Sequence, residues 1–488
     1  AYFEEENYDK AKVEFKNVLQ IDPNTAGPYY YLGRIAEQDQ EWRKAFGNYS
    51  KAVELDPEYV EARIKLGSFY LLAGDMEKAT EQADEALARE PDNADALTLR
   101  ATLLARQDKM DDAIAIASQV LEKKSGQANT AMLLSSIYES QEKPEEALAV
   151  LQRAAEANPD EVALQLRLVQ SYLKRKNNDQ AVAIMQGLIS KYPEEFKYRT
   201  TLASFYAQTE QNDKAEQVLK DAIAADPEDA QRYLLLADFY EKKYDINKAL
   251  GQLEQDVESM PDLNPLQFAL AAAYLKAEQA DKAEGVYRGL IDKEGTEPDG
   301  LKAKTALARI KALQEKPDEA KALIDEVLAE NPKDAQALLL KGRLAMQDKD
   351  YPEAISSFRS VLKDQPDSAE VLTLLAAAHQ ANGETELAME NLSRAVEVKP
   401  DDVQARLRLA VFTAQAGDLD GAMEHIEAAL EVEPDSVPAL RAKAEILAKQ
   451  GNAEELEAVL SRLEQASPET GLGAFGKGRL YKQQKKYD

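Results

Sequence analysis

Apolar and small residues return along this chain at spacings of three and four, in paired blocks. Tyr29, Leu32, Gly33 and Ala36 make one stripe, and Ala45, Tyr49 and Ala52 make the next. That spacing marks one face of an α-helix, so each pair of blocks predicts two helices joined by a turn. The pairing keeps a fixed interval. Twelve of the 19 prolines, from Pro23, Pro57 and Pro91 through to Pro434 and Pro468, fall on the marks of one evenly spaced ruler. Ser125 fills the one vacant mark, and the step from Pro261 to Pro332 is two periods plus three. A small residue stands ten after each mark (Gly33, Gly67, Ala101, Ser135, on to Gly478), with Val169 the exception. Alanine stands twelve before each mark from Ala11 to Ala422, and Leu456 is the departure. Tyrosine often stands thirteen after, as at Tyr70, Tyr138 and Tyr172.

Small residues at fixed places let two helix backbones approach closely while a larger neighbour fills the gap. Gly74, Gly383, Gly417 and Gly451, each 17 after a mark, predict the turn between the helices. Pro144, Pro317 and Pro352 stand where the second helix begins, a position that needs no amide hydrogen. The ruler prolines end that helix, because the residue before proline disfavours helical geometry.

The 34-residue period, the Leu32–Gly33 pair, the alanine near the start of the second helix and the terminal proline resemble the tetratricopeptide repeat. The resemblance spans essentially the whole chain. It implies an all-α fold, a right-handed α-solenoid superhelix of antiparallel helix pairs whose first helices line a concave groove that holds proteins or peptides. The expected organisation is one continuous array over residues 1–488, with thirteen full repeats and a partial repeat at each end. The chain is expected to begin inside a first helix and to stop at Asp488 near the start of a second. With no polar cap after Tyr487 it reads as a piece of a longer array. The three extra residues fall at Glu294–Gly300, read as a turn-rich surface loop and a candidate sub-boundary.

Charge and composition narrow the function. The 89 acidic residues outnumber 60 basic ones, a net charge of −29, which argues against nucleic acid or an anionic membrane as partner. Cysteine is absent, which excludes disulfides, thiolate metal sites and cysteine nucleophiles. No apolar run approaches the roughly 18 residues needed to cross a bilayer. Of the two histidines, His379 takes a place held by tyrosine elsewhere and reads as a packing substitution, while His425 is expected to be solvated. Gly471, Gly473 and Gly476 match Gly-x-Gly-x-x-Gly, but in a helical register without the preceding strand that dinucleotide binding needs. No catalytic residue, metal site or cofactor is therefore expected, and the chain reads as a non-enzyme.

The resemblance places residues 4, 7, 11, 14 and 15 after each mark on the concave wall. Over thirteen repeats these 65 positions hold eleven basic and eight acidic residues, a groove near +3 against about −32 elsewhere. Seventh positions supply the candidate binding residues Tyr30, Ile64, Thr98, Met132, Leu166, Leu234, Phe268, Leu339 and Leu407. Eleventh positions add Arg34, Ser68, Arg309 and Arg343. Such a wall suits an amphipathic helix or extended segment, with arginines available for carboxylates. The alternative for any one side chain is packing against the neighbouring repeat. The Lys/Asn clamp by which some members of the family hold a chaperone's C-terminal carboxylate has no counterpart here.

The stretches Leu66–Asp75 and Lys341–Ala345 are similar to long bacterial envelope proteins of this repeat class, often associated with exopolysaccharide export or exosortase-type sorting. This favours the bacterial periplasm or envelope over the cytoplasm. The other reading is the substrate-binding or regulatory arm of an enzyme, for example a glycosyltransferase, with its catalytic domain outside residues 1–488.

Overall fold

The ruler of prolines is a ruler of helix ends. In a computed structural model describing residues 2–484, Pro57 follows the helix Trp42–Leu55 and its capping residue Asp56, and the same order recurs at each mark. The first helix of a repeat, here helix A, runs from three to fifteen after the mark, as in Ala26–Gln38 and Val60–Leu72. Helix B runs from nineteen to thirty-two after it, as in Trp42–Leu55 and Met76–Arg89. Among the described residues there are 28 α-helices, a short 3-10 turn at Pro468–Thr470 and no strand.

Contacts group the chain into two compact units, one ending at Ala225 and the other starting at Asp226. Within each, helix A packs on its own helix B, and helix B packs on the next helix A, which is the arrangement of an α-solenoid. Six complete pairs lie in the first unit and seven in the second.

The first helix, Tyr8–Ile21, is of the B kind, since it carries Ala11 at the buried alanine position. Residues 2–6 form the turn that precedes it, where Asn7 N–H donates to the Tyr2 carbonyl at 2.9 Å and Glu6 holds φ 57°, as at the end of an A helix. Tyr487 and Asp488 lie outside the described residues.

The alanines twelve before each mark form the spine of both units. All thirteen are at most 2% exposed, while Leu456, which replaces the fourteenth, is only half-buried. Opposite them lie the small residues ten after the mark. A Cβ added at Gly67 would sit 3.5 Å from the Ala79 carbonyl and 2.7 Å from Leu99 of the next repeat, so the helices cross there in near backbone contact. Gly478 breaks the pattern, with nothing near its missing side chain. In the last helix, Leu472–Gln483, close approach has moved to Gly473 and Gly476. A Cβ at the first would meet the Leu460 carbonyl at 2.5 Å, and one at the second would run into the Leu460 side chain. The Gly-x-Gly-x-x-Gly match is therefore a helix contact and not a phosphate cradle.

The turns from A to B share one geometry. Asp75 N–H donates to the Tyr70 carbonyl at 2.9 Å and Gly74 N–H to Leu71 at 3.2 Å, closing the helix with a left-handed residue. Among the described residues, only four of the fourteen turns place glycine there. Nine carry Glu6, Gln40, Asp108, Glu142, Lys176, Glu210, Glu278, Glu315 or Lys349 at φ 57–63° instead. Tyr244 alone escapes, at φ −125°, and its ring lies 3.5 Å from the Lys248 ammonium.

The three extra residues are not a loop. Helix Ala280–Glu294 gains one residue, and Pro298–Leu313 starts three early, leaving only Gly295, Thr296 and Glu297 outside helices. Pro298 opens the added turn, and Gly300 fits because a Cβ there would collide with the Gly295 carbonyl oxygen. Asn264 fastens the bend by donating to Glu294 at 2.9 Å and to Asp299 at 2.8 Å. The segment lies inside the second unit.

His379 is 1% exposed and bonds Glu384 through Nδ1 and Arg359 through Nε2, as befits a packing residue. His425 is half-buried instead of solvated, and burial, with Arg406 nearby, lowers its pKa.

Candidate partner-binding surface

On helix A, residues 4, 7, 8 and 11 after the mark share one side, away from the face that meets helix B. Successive A helices bring these positions into register and form shallow concavities in each unit.

The first, about 420 Å³ in volume, is lined by four consecutive A helices carrying Tyr30, Glu61, Ile64, Lys65, Ser68, Asp95, Thr98 and Asn129. Its aromatic end is a cluster of rings, with the Tyr30 ring 5.0 Å from Tyr59, 5.3 Å from Tyr31 and 5.9 Å from Tyr49. Burial raises the Tyr30 phenol pKa, so it stays a neutral hydroxyl. Lys65 is paired with Glu37 at 2.8 Å, and Glu37 also accepts the Tyr49 hydroxyl at 2.6 Å. Gln127 holds Asp95 at 2.6 Å. The Ser68 hydroxyl turns back onto the Ile64 carbonyl at 2.9 Å. Thr98 is 8% exposed, bonds the Ala94 carbonyl and meets the Thr130 hydroxyl at 2.5 Å, so it is a packing residue more than a contact surface.

The second concavity, about 550 Å³, lies in the other unit. Arg309, Leu313, Gln336, Leu339, Leu340, Arg343 and Glu370 line it. Arg309 donates to the Gln336 amide oxygen at 3.3 Å, and Arg343 pairs with Glu370 at 2.7 Å. The third, about 290 Å³, gathers Leu407, Arg408, Val411, Arg441 and Glu445, the last two paired at 3.1 Å. Leu407 is 8% exposed and belongs to the core of its repeats, whereas Val411 is 50% exposed.

Tyr30, Ile64, Ser68 and Thr98 thus come together in one place, Arg309, Leu339 and Arg343 in a second, and Leu407 in a third. The remaining five stand outside these concavities. Arg34 lies over the Phe3 ring at 4.5 Å. Met132 packs against the core of its repeat, and Phe268 leans on Tyr287 at 6.1 Å with Lys302 above its ring at 4.1 Å. Leu166 and Leu234 are half-buried.

The expected supply of free arginines is reduced, because Arg343 and Arg441 are matched by groove carboxylates. Sequence reasoning passed over Lys65, Leu340 and Arg408, all eight after a mark. Position 8 follows position 4 by one helical turn, and that spacing alone would have found them.

Among the described residues, no group of three His, Cys, Asp or Glu side chains is placed to hold a metal ion, and no helix is long and apolar enough to cross a membrane. Profiles of the tetratricopeptide repeat match residues 139–205, 345–412 and 413–472 in one form, 30–87, 74–128 and 305–369 in a second, and 196–229 in a third. Together they cover well over half of the chain. No curated protein matches it by sequence. Among solved structures, a chain of the Naa15/Naa10 complex bound to HypK-THB superposes with a TM-score of 0.54 at 14% identity, covering 99% of this chain and 89% of that one. Yeast Tom70 gives a TM-score of 0.43 at 17% identity over 90% of this chain and 99% of the other. The family profiles and the recurring helix pairs agree, and the chain belongs to the tetratricopeptide-repeat family.

Proposed function

We propose that the chain is a non-catalytic scaffold that holds protein or peptide partners against the exposed side of its A helices. The observation that carries this reading is the alignment of equivalent positions from successive repeats, such as Tyr30 and Ile64 in one concavity and Arg309 and Arg343 in another, where apolar and polar side chains stand together. Such surfaces take an extended or helical segment, with side-chain pockets supplying specificity. The test is capture of partners by the full chain, with Ile64→Glu and Leu339→Glu as groove variants. Both side chains are half-buried at the surface. Partners lost by the variants at unchanged helicity support the reading; partners captured equally by both variants would remove it.

For the setting we propose the bacterial envelope, in a system of the exopolysaccharide-export kind. Support comes from the Leu66–Asp75 and Lys341–Ala345 stretches. Fractionation of the native protein tests it, and recovery from the cytoplasm would overturn it. Recovery of the array fused to a glycosyltransferase or other catalytic domain would favour the enzyme-arm reading instead.

A further inference from the structure

Two arginines in the second unit stand in equivalent places with unlike partners. Arg343, eleven after its mark, reaches residue 370, four after the next mark, and finds a carboxylate at 2.7 Å. Arg309 reaches the equivalent residue 336 and finds an amide oxygen at 3.3 Å. The geometry carries over from one repeat to the next, but the charge does not. An amide accepts a hydrogen bond without neutralising a guanidinium, so the concavity of about 550 Å³ keeps one positive charge in excess, on a chain whose net charge is −29. Beside it lie Leu339, Leu340 and Leu313, the last 78% exposed.

Resting on the scaffold reading, we infer that this concavity is a docking subsite for a peptide segment with an aspartate or glutamate side chain next to a bulky apolar one. Glu370 on Arg343 displays the contact that the incoming carboxylate makes on Arg309. The planar guanidinium offers paired donors to a carboxylate, and the exposed leucine surface gives the neighbouring apolar side chain a reason to leave water. Charge complementarity selects the partner, since a polyanion such as nucleic acid would meet the acidic remainder of the chain. The volume suits the side chains of two or three residues.

The test uses the full chain, immobilised and probed with a random dodecapeptide library, followed by fluorescence anisotropy of one selected peptide and its Glu→Gln counterpart. Selection of acidic residues adjacent to Leu, Ile, Phe or Met is expected. Replacing the peptide's glutamate by glutamine should weaken binding roughly 10- to 100-fold, the usual range for a hydrogen bond to a charged group. Gln336→Glu should produce a similar loss by giving Arg309 the partner that Arg343 already has, a change that reproduces a native pair and leaves the fold intact. Arg309→Glu should do the same and should leave the glutamine peptide unaffected. Selected peptides without acidic preference, insensitive to Gln336→Glu but weakened by Ile64→Glu, would overturn this inference and leave the scaffold reading standing. A library that yields no binder at all would overturn both.

Discussion

Gly33 lies directly beneath the ring of Tyr49, so close that a Cβ on residue 33 would stand 2.6 Å from Tyr49 Cε1. The relationship recurs nine repeats later, where a Cβ on Gly342 would stand 2.5 Å from Phe358 Cε1. In both repeats the aromatic ring is fully buried, and the hydrogen in place of a side chain is what lets it lie flat on the neighbouring helix. Gly33→Ala should therefore overpack this contact and destabilise the first unit by about 1–3 kcal/mol. Combining it with Tyr49→Leu should cost less than the sum of the two single changes, because the smaller side chain clears the space. Strict additivity in urea unfolding would show that the two residues do not constrain one another.

The A-to-B turns offer stabilising changes. Lys176 and Lys349 hold φ of 61° and 63°, where a residue with a Cβ is disfavoured by about 1–2 kcal/mol. Lys176→Gly and Lys349→Gly should each raise stability by about 1 kcal/mol, the entropy of the unfolded glycine offsetting part of the relief. A lower denaturation midpoint in either variant would mean that the lysine side chain holds the turn by some contact stronger than that strain.

Asp256 predicts a pH effect of definite sign. It occupies a helix B position where the other repeats carry Ala, Val or Leu, is 6% exposed, and has one carboxylate oxygen with no partner. Burial pushes its pKa up, against an opposing hydrogen bond from Gln252. The folded state then holds the proton more tightly than the unfolded one, so the aspartate weakens the fold increasingly as pH rises from the ordinary carboxylate range through the raised value. Asp256→Leu should stabilise the second unit by roughly 1–3 kcal/mol at neutral pH, with the gain shrinking in acid. Thermal melts from acid to neutral pH check this, and a pH-independent gain would remove the titration argument.

Glu284 carries the opposite sign. Lys311, 3% exposed, donates to both of its oxygens at 2.7 and 2.8 Å and holds its carboxyl below the usual range, helped by Arg288. This contribution is present above the ordinary carboxylate pKa and is lost as pH falls through the lowered value. Glu284→Gln should cost roughly 2 kcal/mol at neutral pH, since it leaves a nearly buried ammonium with Glu319 alone at 3.3 Å. An equal deficit in acid would show that packing, and not the ion pair, is at stake.

Much of the fold was legible because its restraints are local and periodic. A small residue at 33, an alanine at 45 and a proline at 57 each report on a helix crossing or end, and their recurrence removes the ambiguity that one instance would leave. The turn residues were half legible. Gly74 and Gly417 declare a left-handed bend, but Glu142 and Lys176 adopt it against their own preference because the packed helices on either side leave no alternative. The extra residues at 294–300 misled for a related reason. Gly, Pro and Asp suggest a loop in isolation, yet Pro and Asp also open helices, and the backbone contact at Gly300 decides between the two. The binding surface was the least legible part. Position along a helix tells which side a residue occupies, but not that Thr98 and Leu407 sink into the core or that Glu370 already occupies Arg343.

The added turn at Pro298–Gly300 lengthens one strut without disturbing the joints around it. Ala308 and Ala320 remain completely enclosed, and the helices that follow resume their ordinary lengths. An insertion that a turn of helix absorbs at its N-terminal end is thus mechanically silent downstream, which marks the beginning of an A helix as the place where new sequence can be grafted into this architecture without resetting its phase.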